Sequence, residues 1–393
     1  MQFKNLTILI LLIPLITFIY LFSKNLNTWD TQFTTQTKNF LNGRLDISNF
    51  TPSLVKHDTV FLNDQFYWPQ GPFPSILLMP FILIPGITQV HLQFILIFIT
   101  AVFLYKAAVL KGFKKESSIF LTAAFLFASP VFGIITDPNS WFYAQVVTIF
   151  LSILLIYEME TKQRMFLMGF LCGAILATRP TAAFIILPII YLIYKKAKKQ
   201  KTLSPVFFLS PIIISILLLM IFNQARFSNP IDNGYFTNHL GYELSPVRDL
   251  GVFSLVHIPT NIYYYFLISI EPITKGNYNL ITPFFTYSRW GLSFFIVAPF
   301  FAFFGFLALF KKDSYLKMLW ISIFLTLFAL LCYFAPGMRQ FGPRYTADFL
   351  PILFLILLLT LNKPSLTSRQ KTIIVLSCIL NSYLLLTPFL VKN

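Results

Sequence analysis

Long apolar runs separated by short polar breaks dominate the chain, at 6–22, 90–110, 117–135, 141–157, 165–178, 181–194, 203–222, 292–310, 317–334, 347–361 and 372–390. A bilayer core needs roughly 20 apolar residues per helix, so this pattern predicts an all-α, polytopic membrane protein of about 11 spans. The stretch 165–194 departs from it. Each half is short for a span, and Arg179-Pro180 interrupts them, which predicts a pair of tilted half-depth helices. No small-x-small cleavage pattern follows the first run, so it is read as a retained first helix.

Two polar stretches break the pattern. The first, 23–75, holds Asp30, Asp46, Asp58 and Asp64 out of the chain's 14 carboxylates. Within it a short run ends at Asn42-Gly43, which puts Asp30 where a helix starts and Gly43 where it stops. The second, 223–291, mixes Tyr235, Tyr242, Tyr263, Tyr264, Tyr265 and Tyr287 with Glu243, Asp249 and Glu271. Two readings of these tyrosines stay open: an interfacial aromatic belt, or a platform on which a sugar ring stacks. The run 263–270 predicts a helix lying on the surface. The whole chain then reads as one transmembrane domain: first helix 1–22, outer loop 23–75, core helices 76–222, second outer segment 223–291 and C-terminal helices 292–393.

Composition removes the water-soluble alternative. Hydrophobic residues make up 56% of the 393, charged residues only 11%, and mean hydropathy is +0.73. The net charge of +16 is unevenly placed. Lys4, Lys106, Lys111, Lys114, Lys115, Lys162, Arg164, the lysines of 195–201, Lys311, Lys312, Lys317, Lys363, Arg369 and Lys371 fall in segments on one side of the predicted spans. Basic residues in short loops mark the cytoplasmic face, so the N-terminus is expected inside a cytoplasmic membrane. No basic soluble domain accompanies the cluster, and nucleic acid is not expected as a partner. Cys172, Cys332 and Cys378 fall inside spans without paired spacing, so neither a disulfide framework nor a metal site is indicated.

The other side collects the unusual polar residues: the four aspartates of the first loop, Asp137, Arg179, the segment 223–291, Arg339 and Arg344. A transporter tends to line a path with ionisable residues near the midplane, whereas these sit at helix ends. Each has a plain structural reading. Asp30 alone is a helix N-cap, Asp137 before Pro138 a turn residue, Arg179 a snorkelling anchor, and His57-Asp58 a solvated pair.

The motifs are more informative in order: Asp30 after the first helix, Asn63-Asp64-Gln65-Phe66-Tyr67, Gly71-Pro72-Phe73-Pro74, Ala128-Ser129-Pro130 with Asp137, Thr178-Arg179-Pro180, Asn223 to Pro230 with Arg226, and Phe341-Gly342-Pro343-Arg344-Tyr345. This ordered set resembles the GT-C class of membrane glycosyltransferases, in particular bacterial relatives of the protein O-mannosyltransferase and lipid A aminoarabinose transferase group. The resemblance implies transfer of a sugar from a polyprenyl-phosphate carrier to an acceptor on the outer face. It makes Asp30 the catalytic base and Asp137 the second acidic residue. Arg344, Tyr345 and Arg179 become candidates for the donor phosphate, and Asp58, Asp64, Tyr67 and Arg226 candidates for loop or acceptor contacts. Many relatives carry a lysine where this chain has Gln70-Gly71-Pro72, so another cation must meet the phosphate. Divalent metal dependence and the acceptor, whether lipid, glycan or protein, stay open.

The chemistry is consistent with these residue types. Displacing a sugar from a phosphate ester needs a base for the acceptor's proton and a cation for the charge that grows on the phosphate. One carboxylate opposite the leaving group implies inversion. No cofactor beyond the lipid-linked donor is expected. Two other classes are weighed against this reading. A flippase or exporter of lipid-linked sugars predicts inverted repeats and charges inside spans. A glycan ligase or polymerase predicts arginines and a histidine gathered in one late loop.

Overall fold

The computed structural model describes residues 11–28, 31–50, 58–197, 204–235, 239–240, 245–276 and 278–390. Asp30, His57, Tyr242, Glu243, Lys198, Lys199 and Lys201 lie outside the described residues. The principal helices are α1 (Leu12–Lys24), α2 (Gln32–Leu41), α3 (Phe73–Ile82), α4 (Gln89–Leu110), α5 (Lys115–Phe127), α6 (Val131–Thr136), α7 (Ser140–Glu160) and α8 (Met165–Leu176). They continue with α9 (Ile186–Ala197), α10 (Ser204–Phe227), α11 (Pro299–Leu309), α12 (Ser314–Cys332), α13 (Leu350–Thr360) and α14 (Ser368–Leu390). Among the described residues, 5 helices are long and apolar enough to cross a bilayer: α4, α7, α10, α12 and α14. The remaining apolar helices are shorter, because prolines and turns divide several of the apolar runs.

Those divisions have local causes. The run 117–135 is split at Ser129-Pro130, since a proline disfavours helix in the residue before it. Ser129 makes good the lost bonding: its hydroxyl donates to the Phe125 carbonyl and accepts the Val131 N–H at 3.1 Å. At Arg179-Pro180 the chain passes into a 3-10 turn, Pro180–Ile185, before α9, so the interruption expected there is present. A further 3-10 turn, Arg344–Asp348, leads into α13.

The core is built on α7 and α13. Of the most apolar window in α7, 83% is buried, against 17% in α10. Helix α13 is buried at every residue from Leu350 to Leu358, as expected of a helix that is apolar all round. Helix α10 instead turns Phe207, Ile213, Leu217 and Ile221 outward, toward where lipid would lie. It is held by small residues. A Cβ on Gly169 would stand 2.1 Å from the Phe208 carbonyl oxygen, and Ser215 donates to the Gly173 carbonyl at 2.8 Å.

The connections are not all helical, which corrects the all-α expectation in detail. Strands β1 (Thr59–Leu62) and β2 (Gln65–Tyr67) form an antiparallel hairpin with Val60 opposite Tyr67. Asn63 and Asp64, at φ 52° and 58°, make its two-residue turn. Strand β3 (His239–Leu240) pairs with β1 and ties the first loop to the second polar segment. A second hairpin joins β4 (Glu271–Lys275) to β5 (Asn279–Thr286). The surface helix expected over 263–270 starts and ends earlier: helical turns run from Ile258 to Leu267, and Tyr265 is fully buried.

The two ends of the bundle differ. One end carries Lys111 paired with Glu160, and Lys371 with Glu116 at 2.8 Å. At the other end Asn25 donates to the Thr136 carbonyl at 2.9 Å, and Gln89 to the Pro138 carbonyl at 2.9 Å, which ties α1 and α4 to the turn before α7.

Candidate active site

That turn, Thr136 to Ser140, carries Asp137. Its backbone is clamped twice from α4, with Gln93 donating to the Asp137 carbonyl at 2.9 Å and Gln89 to that of Pro138. The Asp137 carboxylate accepts the Asn139 N–H at 3.0 Å, the Asx turn that Asp-Pro-Asn encodes. Burial pushes the carboxyl up to about 6, against the Asn139 N–H and the nearby Arg344 charge, which both favour the anion. The hydroxyl of Thr28 donates to the Asn139 side chain. Asp30, two residues further along the chain, lies outside the described residues.

Opposite Asp137 runs Phe341-Gly342-Pro343-Arg344-Tyr345. Two glycines allow the close approach: a Cβ on Gly133 would lie 2.5 Å from that of Phe341, and one on Gly342 would lie 2.9 Å from Val297. Arg344 is buried, with its backbone N–H donating to the Gln340 side chain at 3.1 Å. Its guanidinium stands over the rings of Phe142, at 4.8 Å, and Tyr345, at 5.2 Å. One long contact of 3.5 Å runs to the Tyr345 hydroxyl, and the buried Nε has no partner among the described residues. One turn from Phe142 on α7, Gln145 is buried with neither amide atom paired.

Arg179 has a different setting. It forms a two-bonded ion pair with Asp348, at 2.7 Å and 3.0 Å, to which the Thr181 hydroxyl also donates. Its guanidinium lies 5.2 Å from the Tyr345 ring, so Tyr345 stands between two arginines. The Tyr345 ring also meets Tyr333 at 6.0 Å, and the Tyr333 hydroxyl donates to that of Tyr235 at 2.9 Å. Burial pushes both the Tyr235 and Tyr333 phenols up, and the Asp58 carboxylate adds to it, which puts Asp58 within electrostatic reach of this group.

The structure therefore brings Asp137, Arg344, Tyr345 and Arg179 together, with Asp58 near the tyrosines. Tyr67 and Arg226 form a second cluster. Arg226 donates to the Trp68 carbonyl at 2.9 Å and to Asn223 at 3.0 Å, and its guanidinium lies 3.8 Å from the Phe222 ring. The Tyr67 hydroxyl donates to Gln65 at 2.6 Å, and its ring packs on Phe227. Asp64 is an exposed hairpin-turn residue. Sequence reasoning missed Asp348, Gln340 and Tyr333. Asp348 had a signal: a carboxylate at the head of the apolar run 347–361 requires a partner. Among the described residues no group of three or more His, Cys, Asp or Glu side chains could hold a metal ion.

A groove of about 250 Å³ runs between α1, α4 and α5, lined by Leu15, Phe18, Phe98, Ala101, Leu126 and Ile135. Its lining is almost wholly apolar.

No family model and no curated protein matches this sequence. Among solved structures, the crystal structure of ArnT from Cupriavidus metallidurans bound to undecaprenyl phosphate superposes with a TM-score of 0.54 at 11% identity. The match covers 99% of this chain and 66% of that one. The likeness shows a shared fold. At that identity the likeness establishes the architecture, so the chemistry of the site rests on this chain's own residues. In this fold a buried cation with a spare donor, flanked by aromatic rings and facing a carboxylate, suits an anion that arrives with an apolar tail.

Proposed function

We propose that this protein is an inverting glycosyltransferase that moves a sugar from a polyprenyl-phosphate donor to an acceptor on the outer face of the cytoplasmic membrane. The observation that carries the reading is Arg344: buried between Phe142 and Tyr345, with Nε unpartnered, beside Asp137. A buried guanidinium with no carboxylate paired to it among the described residues has a donor to spare for a ligand oxygen. The likeness to a structure bound to undecaprenyl phosphate supports a lipid-phosphate donor.

In this reading Arg344 and the Tyr345 hydroxyl bind the donor phosphate. Arg179, neutralised by Asp348, holds Tyr345 in place rather than binding phosphate itself. The polyprenyl chain occupies the apolar groove, whose Ile135 end lies two residues from Asp137. Asp30 takes the acceptor hydroxyl's proton as the new bond forms at the anomeric carbon. The bond to phosphate oxygen breaks, and the electron pair leaves on a phosphate that Arg344 stabilises. Asp137 orients the acceptor or donor hydroxyls.

The test is sugar transfer by the purified protein from polyprenyl-phosphate sugars. Replacing the base, Asp30→Asn, is expected to abolish transfer while donor binding persists; undiminished turnover would remove the assignment.

A further inference from the structure

A second cavity, of about 520 Å³, opens within the polar segments and is lined by Thr260, Tyr264, Arg289, Trp290 and Phe334. Its volume lies within the range of small-molecule sites. Its character differs from that of the apolar groove. The Tyr264 and Trp290 rings stand 5.3 Å apart at 38°, and the Arg289 guanidinium lies 5.2 Å from the Trp290 ring centre. Aromatic faces with a guanidinium and a hydroxyl beside them offer what a pyranose needs: a flat apolar surface for its C–H face, and donors for its oxygens.

The cavity is mechanically joined to the Arg344 site. Gln340 donates to the Trp290 carbonyl at 2.9 Å and, through its backbone, to that of Arg289 at 3.4 Å. The same side chain accepts the Arg344 N–H at 3.1 Å. On the opposite wall, Phe334 follows Tyr333, whose ring meets Tyr345. Both walls of the cavity thus continue into residues that frame the phosphate position.

We propose that this cavity is a saccharide-binding subsite, with a sugar ring stacked on Trp290 and hydrogen-bonded to Arg289, and that its occupant is a glycan acceptor. The assignment of an acceptor rests on the transferase reading above; binding of a saccharide does not. A pyranose could reach the same chemistry from the donor's own sugar, and the test separates the two.

The purified full chain in detergent is titrated with a panel of neutral and uronic-acid-bearing disaccharides, followed by tryptophan fluorescence. A parallel titration uses undecaprenyl phosphate with and without a linked mannose. The expected result is millimolar disaccharide binding, lost in Trp290→Ala and weakened several-fold in Arg289→Gln. Undecaprenyl phosphate should bind wild type and both variants alike, with or without its mannose. Arg289 is exposed, so its replacement tests the site even if Trp290→Ala fails to fold. If only the mannose-linked lipid loses affinity in the variants, the pocket belongs to the donor sugar and the acceptor assignment is overturned. Disaccharide binding that is unchanged in both variants, or absent from wild type, overturns the subsite. Normal disaccharide binding with no affinity for either lipid would sink the donor reading and leave the saccharide site standing.

Discussion

At the lysine-rich end of the bundle, Lys111 pairs with Glu160, Lys371 with Glu116 and Arg164 with Glu158, and every pair has at least one partner open to water. At the opposite end the ionic groups are buried and unequally matched: Arg179 is fully committed to Asp348, while Arg344 has rings on its faces and an idle donor. Partly exposed reciprocal pairs of this kind are weakly stabilising and serve anchoring and orientation. Burying a cation without its own carboxylate costs several kcal/mol and persists where a ligand repays it. The two ends teach that charge count alone does not locate a site in this chain; the residual, unspent bonding capacity does.

The largest effect that would break this comparison is on the buried pair. Asp348→Asn leaves Arg179 without its countercharge and is expected to cost about 3–5 kcal/mol, read as a lowered thermal midpoint in detergent. A double change to apolar residues, Arg179→Met with Asp348→Leu, should recover much of that stability but not the transfer activity, because Tyr345 loses its flanking cation. A single variant as stable as wild type would mean the pair is not buried.

A smaller effect belongs to Asp137, whose folded value is raised from 3.8 to about 6. A carboxyl raised on folding holds its proton more tightly in the native state. The stability this confers is complete below about 3.8 and is lost as pH rises through about 6. Asp137→Asn should therefore be more stable than wild type above pH about 6, by roughly 1–2 kcal/mol, with the difference closing toward pH about 4. Transfer by wild type should fall below about 6, and the variant should lack that limb. Matching pH profiles for the two proteins would show that Asp137 does not titrate in this window.

The smallest effect is expected at the other end. Glu116→Gln, which breaks the pair with Lys371, should change stability by less than about 1 kcal/mol and leave transfer unaltered. A large loss of activity there would erase the distinction between the ends.

Much of this was legible in the sequence because hydrophobic run length and proline position act locally. The runs that became α4, α7, α10, α12 and α14 were plain, as were the break at Pro180 and the stop at Gly43, which has φ 71°, whereas the run 117–135 was read as continuous across Pro130. The convergence expected from the motifs was that of Asp30 with Arg344, and Asp30 lies outside the described residues; the nearness of Asp137 to Arg344 follows from the glycine contacts of Gly133 and Gly342, which a linear sequence does not display. The hairpins were missed because short strands in polar loops carry little periodicity, although Asn63-Asp64 was a turn signal. The role of Arg179 turned on a partner far along the chain, Asp348, and pairing over such separation has no local signature. Asp348 itself, a carboxylate in an apolar run, was the clue left unused.

The central claim is that Arg344 meets a lipid-borne phosphate. The most direct measurement is equilibrium binding of undecaprenyl phosphate to the purified protein, compared among wild type, Arg344→Gln and Arg164→Gln. Losing a charge-assisted contact should weaken binding about tenfold to a hundredfold in Arg344→Gln, while Arg164→Gln, at the lysine-rich end, binds as wild type does. Equal affinity in wild type and Arg344→Gln would contradict the account.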